Sequence, residues 1–225
     1  MAERPDWYYD DLRQVGLDFT DADEVAAYDA RQGRDPAQER AALARLELAP
    51  GETLLDIGCG TGRLVREAAR QGLSAVGYDV SPAMLAHARA EAAAEALAGA
   101  DFRLGGFLSF DWQGPPPDAV ASSYALHHLP DFWKQVALLR IARLLPPGGR
   151  FLLRDVAFSF PAEGYAEGVE AWLRAQSRAD FATHVREEHS TFAWVLEGML
   201  ARAGLDVRSR ELAEGVYADY LCRRS

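Results

Sequence analysis

Three glycines at alternate positions, Gly58, Gly60 and Gly62, follow the run Leu54-Leu-Asp-Ile57 and lead into the helix-forming stretch Arg63-Leu-Val-Arg-Glu67. Residues without a Cβ can take positive φ, and they let a ligand reach backbone N–H groups at a helix start. Two carboxylates flank this turn. Asp56 lies two residues before Gly58, and Asp79 closes the next apparent strand, Ser74-Ala-Val-Gly-Tyr-Asp79. A glycine turn with an acid at the end of the following strand suits a nucleoside-bearing cofactor at the top of a parallel sheet. The third glycine of a dinucleotide pattern would fall on Arg63, which makes close approach of a pyrophosphate harder. A cofactor without phosphates fits better, with a cationic tail facing Asp56 and ribose hydroxyls donating to Asp79.

Further candidates lie at the end of a later strand, where Ser122, Ser123 and Tyr124 precede His127-His128. The serines and Tyr124 are expected to face the reacting group, and Tyr124, His127 and His128 are the weak catalytic candidates. Neighbouring residues point in different directions, so the histidine pair makes a poor chelate and no metal is expected. Trp7, Tyr8, Tyr9 and Tyr28 would form either a lid or a packed helix. Arg31 and Arg34 would meet a ligand carboxylate or remain solvated. Glu187, Glu188 and His189 read first as a solvated helix start, with the substrate pocket as the alternative.

The elements that must position these residues alternate. Strands are predicted over 52–57, 74–79, 100–104, 118–123 and 150–156, and helices over 62–71, 82–98 and 131–145. Asp35-Pro36 starts an earlier helix with Asp35 as N-cap, and Asp131 caps the third helix of the core. Strand–helix alternation at this spacing implies right-handed crossovers and an α/β, doubly wound, mostly parallel sheet. A helix over 190–203 and strands over 205–210 and 216–222 complete a seven-stranded sheet. The chain reads as one domain: an N-terminal helical extension (1–50), a cofactor-binding core (51–156), a helical substrate-side insertion (157–204) and final strands (205–225).

Of 225 residues, 49% are apolar and 26% charged, and the formal net charge is −10. A surface this acidic without a Lys/Arg cluster argues against nucleic acid as a partner. There is no apolar run of membrane-spanning length and no basic, apolar leader, so no membrane association and a cytoplasmic location are expected. Cys59 and Cys222 offer no disulfide framework. The oligomeric state is expected to be monomer or homodimer.

Leu55-Asp-Ile-Gly-Cys-Gly-Thr-Gly62, Tyr78-Asp-Val-Ser-Pro-Ala-Met-Leu85, Ala125-Leu-His-His-Leu129 and Leu144-Leu-Pro-Pro-Gly-Gly-Arg150 occur in one order over roughly residues 20–160. They resemble the successive motifs of class I S-adenosylmethionine-dependent methyltransferases, in particular small stand-alone bacterial ones. The resemblance implies a Rossmann-like methyltransferase fold, S-adenosylmethionine as cofactor and S-adenosylhomocysteine as product. It implies that Gly58, Cys59, Gly60 and Gly62 support the methionine part, that Asp79 holds the ribose hydroxyls and that Met84 packs on adenine, with Val80, Gly106 and Phe107 also among the cofactor-binding residues. Tyr28, Asp56 and Ser122 would border the cofactor. The chain departs from that pattern at Gly105-Gly106, where the relatives carry an acid that receives the adenine amino group. Either Asp111 or a backbone carbonyl substitutes there, or the adenine contact is weaker, and Gly106→Asp is expected to leave cofactor affinity equal or better.

The function expected is methyl transfer to a small-molecule acceptor by in-line displacement. The rivals are a non-catalytic protein that binds S-adenosylmethionine or S-adenosylhomocysteine and, against Arg63, an NAD(P)-dependent oxidoreductase.

Overall fold

The computed structural model describes residues 5–12, 21–32, 35–175 and 181–225. Helices α1 (Ala22–Gln32) and α2 (Ala37–Leu46) lead into a strand-and-helix alternation. It runs β1 (Thr53–Ile57), α3 (Arg63–Arg70), β2 (Ser74–Asp79), α4 (Pro82–Ala94), β3 (Ala100–Leu104), β4 (Ala119–Ser123), α5 (Asp131–Leu144) and β5 (Arg150–Phe158). Then follow α6 (Tyr165–Ala175), α7 (Phe181–Glu187), the two-residue strand β6 (Thr191–Phe192), α8 (Ala193–Arg202), β7 (Leu205–Ala213) and β8 (Tyr217–Arg224).

The main sheet has the order β3-β2-β1-β4-β5-β8-β7, with β6 pairing with the end of β5. Strands β1 to β5 pair in parallel, and β8 lies antiparallel between β5 and β7. The sheet is therefore mostly parallel as expected, with one short strand more than the seven. The chain builds outward from β1 to β3 and then from β4 to β5, so strand order reverses between β1 and β4. A crevice opens at the carboxyl ends of the strands on either side of such a reversal.

Strands covered on both faces need apolar residues at every position. Leu54, Ala75, Ala119 and Leu152 join Leu64, Val65, Leu85 and Ala88 on one face. Their neighbours Leu55, Val76, Val120 and Phe151 join Leu138, Ile141, Leu196 and Leu200 on the other. At about 1.5–3 kcal/mol per buried aliphatic side chain, this two-sided burial is what holds the glycine turn in place. A smaller cluster of Val156, Trp172 and Val216 seats the helical insertion beside the end of β5.

Helix starts differ from expectation in two places. Pro36 occupies the N-cap of α2 without a side-chain bond, and Asp35 pairs instead with Arg40 at 2.7 Å. Pro130 precedes α5, and Asp131 is its first residue, bonded through its carboxylate to Lys134 Nζ at 2.7 Å. Ser81 does cap α4, accepting from Met84 N at 3.1 Å.

The glycines of the turn do different jobs. At Gly62 (φ 77°) a Cβ would lie 2.5 Å from Phe102 Cε1 and 2.9 Å from Ala88 Cβ, so this glycine lets α3 close onto β3 and α4. At Gly60 (φ 52°) a Cβ would meet nothing within 4 Å. Gly62→Ala is expected to lower stability by about 2–4 kcal/mol, from backbone strain plus overpacking. Gly60→Ala should cost only about 1 kcal/mol, from the backbone alone. Urea unfolding of both variants checks the order; equal losses would count against this division.

Candidate functional site

The crevice at the strand reversal holds two adjoining cavities that share Tyr28, Gly58, Gly60, Ser123 and Tyr124 in their walls. The larger encloses about 910 Å3 of space open to solvent and is lined by Asp79, Val80, Met84, Gly106, Phe107 and His128 among others. The second, about 680 Å3, contains Asp56, Cys59, Arg63 and Arg154. The size of the larger suits a cofactor-sized ligand.

Parallel pairing puts Asp56 and Gly77 in register, so the acid at the end of β2 lies beside the glycine turn after β1. Asp79 Oδ2 accepts the Gly60 N–H at 2.8 Å, and its Oδ1 accepts the Ser81 N–H at 2.9 Å. Burial raises the Asp79 pKa, and these backbone donors oppose the rise. Asp56 is 4% exposed, and its Oδ1 has no hydrogen-bond partner among the described residues. Burial, then the charges of Asp79 and Glu39, push its pKa up to about 7. A buried carboxylate oxygen without a donor is costly, and a ligand cation would remove that cost. In the same cavity Arg63 bonds Glu39 at 2.7 Å and Arg154 bonds Asp219 at 3.0 Å. One unpartnered carboxylate beside two guanidiniums is a donor set that fits a zwitterionic amino-acid tail.

Val80, Met84, Gly106 and Phe107 line the larger cavity next to Asp79. Gly62 and Ser122 depart from the expected site. Neither lines a cavity: Gly62 faces Phe102 and Ala88, and the fully buried Ser122 leaves the cavity walls to its neighbour Ser123. Strand alternation is the reason, since successive residues of β4 face opposite sides. Asp111 is not at the cleft either, as its side chain bonds Gln113 and its carbonyl accepts from Tyr78 Oη.

Tyr124 has φ 54°, an uncommon conformation for a residue with a side chain, and it stands in the wall shared by both cavities. Burial raises its pKa, so the phenol stays neutral. Trp7, Tyr8 and Tyr9 gather on Trp133 of α5, with ring centroids 5.0–6.5 Å from it, and Tyr9 also reaches the cleft wall. The side chain of Arg31 and all of Arg34 lie outside the described residues.

The two histidines separate in role. His127 is buried, with Nδ1 against Asp155 and Nε2 3.2 Å from Glu188, which also bonds His184 Nδ1. Burial alone would lower the His127 pKa, but Asp155 and Glu188 raise it to about 9, which makes it a fixed cation. Burial likewise opposes ionisation of Glu188, yet bonds to His127 and His184 hold it well below the usual carboxylate range. Glu188 is thus neither a solvated helix start nor a substrate-pocket residue. His128 lines the larger cavity, and burial together with the His127 charge lowers its pKa to about 4. Among the described residues, His127, His128 and Glu188 are the one group whose donor atoms lie within 4.8 Å of one another. Both His127 nitrogens already face carboxylates, so the group reads as an ion-pair network.

The residues that sequence reasoning missed are Arg154, Asp155 and Asp11. Two adjacent charges in the strand Phe151-Leu-Leu-Arg-Asp-Val156 were the available signal for the first pair, since a buried strand carries charge only where it is paired. Asp11 had no such signal.

Asp155→Asn should destabilise the fold by about 3 kcal/mol by removing one of the two carboxylates that hold a buried cation. A folded-state pKa raised above the unfolded value stabilises fully below that value and loses its contribution as pH climbs through the folded pKa. Wild-type stability should therefore decline between about pH 6.5 and 9, and the Asp155→Asn protein should show a flatter profile. Urea midpoints across that window decide it.

A family profile described as a methyltransferase domain matches residues 54–149. An uncharacterized methyltransferase of Geobacillus kaustophilus is 34% identical over 155 residues, 68% of this chain and 69% of its own length. One from Bacillus subtilis is 29% identical over 159 residues, 70% of this chain and 71% of its own. Among solved structures, a geranyl diphosphate methyltransferase in complex with S-adenosylmethionine matches with a TM-score of 0.68 at 15% identity, over 92% of each chain. The [4+2]-cyclase SpnF matches with a TM-score of 0.67 at 19% identity, over 84% of this chain and 80% of that one. At such identities the structures establish the fold alone, and the cyclase is a reminder that one fold hosts several chemistries. With its ordered motifs, its 3-2-1-4-5 parallel core and a relative of that identity, the chain belongs to the class I S-adenosylmethionine-dependent methyltransferases.

Proposed function

We propose that this protein transfers the methyl group of S-adenosylmethionine to a small-molecule acceptor. The observation that carries the reading is the buried, unpartnered Asp56 Oδ1 one strand away from Asp79, with the glycine turn between them. That spacing offers an acceptor for a cationic tail at one end and for ribose hydroxyls at the other. Asp56, Arg63 and Arg154 would hold the amino-acid end, Asp79 the ribose, and Val80, Met84 and Phe107 the adenine. When bound, the cofactor supplies a methyl group on a sulfonium that is already activated as a leaving group.

The residues around the acceptor end favour positioning over proton transfer. His127 stays protonated, and His128, with a pKa of about 4, is too weak a base to deprotonate an ordinary alcohol. Tyr124 remains a neutral phenol that can orient an acceptor. A soft nucleophile or an acid that ionises by itself matches such a site. Tyr9, Tyr28 and Tyr124 contribute to the wall of the larger cavity, a concave site of the kind that takes small molecules, which favours a small acceptor over a macromolecule. No described helix is long and apolar enough to cross a membrane. Action in the cytoplasm, as monomer or homodimer, completes the proposal.

Release of S-adenosylhomocysteine, followed over a panel of small thiols, carboxylic acids, amines and phenols, tests the reading. Turnover confined to soft or pre-ionised acceptors is expected. Tight binding of S-adenosylhomocysteine with no turnover would favour the non-catalytic rival, and a preference for NAD(P) in calorimetry would favour the oxidoreductase.

Binding should also be pH-dependent. A ligand ammonium favours ionised Asp56, so a proton leaves on binding and affinity rises as pH passes about 7. Calorimetry should show affinity for S-adenosylhomocysteine increasing by up to about tenfold from pH 6 to 8, with the slope lost in Asp56→Asn. In the same titrations Asp79→Ala should weaken binding roughly ten- to a hundredfold.

A further inference from the structure

We propose that the buried group of His127, His128, His184 and Glu188 is a binding site for one divalent transition-metal ion of the zinc type. This site stands apart from the cofactor reading above. His127 and His128 belong to the turn between β4 and α5, whereas His184 lies in α7 and Glu188 directly follows that helix. The Glu188 N–H donates to the His184 carbonyl at 3.0 Å, so the helical spacing of four residues puts both side chains on one face. The adjacent histidines on their own remain a poor chelate. What completes the set is the insertion, which brings two more donors against them.

Glu188 Oε2 is the meeting point. His127 Nε2 lies 3.2 Å from it, and His184 Nδ1 meets the same oxygen. The His127 ring centroid is 4.3 Å from that of His128 and 4.9 Å from that of His184. His128 Nδ1 is buried with no hydrogen-bond partner among the described residues. The far side of two of the rings is already tied. His127 Nδ1 is held by Asp155, whose other oxygen accepts the His127 N–H at 3.0 Å, and His184 Nε2 lies 2.8 Å from Ser190 Oγ. Each of these imidazoles is thus fixed through one nitrogen and turned to Glu188 with the other. Outer partners of this kind are what orient a ligating histidine.

Without metal the group is the ion-pair network already described. The ion takes the place of the proton between His127 Nε2 and Glu188 Oε2, and that proton passes to solvent. Imidazole nitrogens with a carboxylate oxygen suit zinc, cobalt or nickel, whereas magnesium and calcium prefer oxygen throughout. Four protein ligands leave a tetrahedral ion no open position, so its part is to hold rather than to react. It would tie α7 of the insertion to the turn after β4 and fix His128 in the cleft wall. Ligated histidines are no more basic than the ion-paired ones, so positioning remains the work of this wall.

The test is titration of zinc, and of cobalt(II) as its coloured substitute, into the full chain after treatment with a chelator. Wild type is expected to take up one ion per chain, with the strong visible absorption of four-coordinate cobalt and no thiolate band. Asp155→Asn should weaken zinc binding roughly ten- to a hundredfold through the outer partner alone. Glu188→Gln and His184→Ala should weaken it at least as much. Glu187→Gln, at an exposed neighbour, should leave it unchanged. Zinc should also raise the melting temperature of wild type but not of Glu188→Gln. Where a variant fails to fold, the wild-type cobalt spectrum decides by itself. No saturable uptake, the pale spectrum of a six-coordinate ion, a thiolate band that places the metal on Cys59 or Cys222, or an equal loss in Glu187→Gln overturns the site. Binding of S-adenosylhomocysteine has no part in these readouts, so the metal site and the cofactor reading fail separately.

Discussion

The hydrogen bond from the Gly60 N–H to Asp79 Oδ2, 2.8 Å long, is the constraint on which the site depends. The backbone adds to it: the Gly58 and Cys59 N–H groups both donate to the Tyr78 carbonyl, at 2.8 and 3.0 Å. The turn after β1 is therefore clamped to the end of β2, and one carboxylate sets the spacing of two cleft walls. Asp79 meets this demand while desolvated, which makes its remaining acceptor capacity valuable to a ligand that donates.

The opposite wall is held by charge. The His127 imidazolium lies between Asp155 on β5 and Glu188 after α7. Lys134 Nζ, itself 2% exposed, bonds Asp131 and the His189 carbonyl close by. Removing charges from water is costly, and the cost is tolerable here because the partners are mutual. One result bears on chemistry: burial, joined by the positive charge on His127, keeps His128 neutral and weakly basic.

The N-terminal segment connects these walls to the rest of the chain. Its aromatic residues pack on Trp133 of α5, while Asp11, a few residues on, bonds the turn after β3. Apolar packing supplies the adhesion, and the charged hydrogen bonds supply the register. Arg63 does similar work for α2, joining Glu39 and the Asp35 carbonyl to the start of α3. The arginine that disfavoured a dinucleotide in the sequence is thus a tie between the extension and the core.

Strand and helix order, the glycine turn and the two flanking acids were legible because each rests on local rules. Two-sided burial demands continuous apolar runs, tight βα turns demand glycine, and parallel pairing sets Asp79 beside Gly60 once the strands are known. The helix caps at Asp35 and Asp131 were misjudged because other partners compete for the same carboxylates: nearby Arg40 takes Asp35, while nearby Lys134 and distant Thr191 claim Asp131. Which of Ser122 and Ser123 faces the cleft depended on strand register, which a one-residue error inverts.

The sequence by itself determined the fold class, the family and the two carboxylates that flank the glycine turn, since all of these follow from short-range patterns. Only the tertiary structure decided what packs against Gly106 and the state of the histidines. Asp11 packs against Gly106 from across the molecule, and His127 acquires its charge from Asp155 and Glu188. Contacts between residues far apart in the chain leave no periodic trace in the sequence, because each partner's local surroundings are set by its own strand or turn.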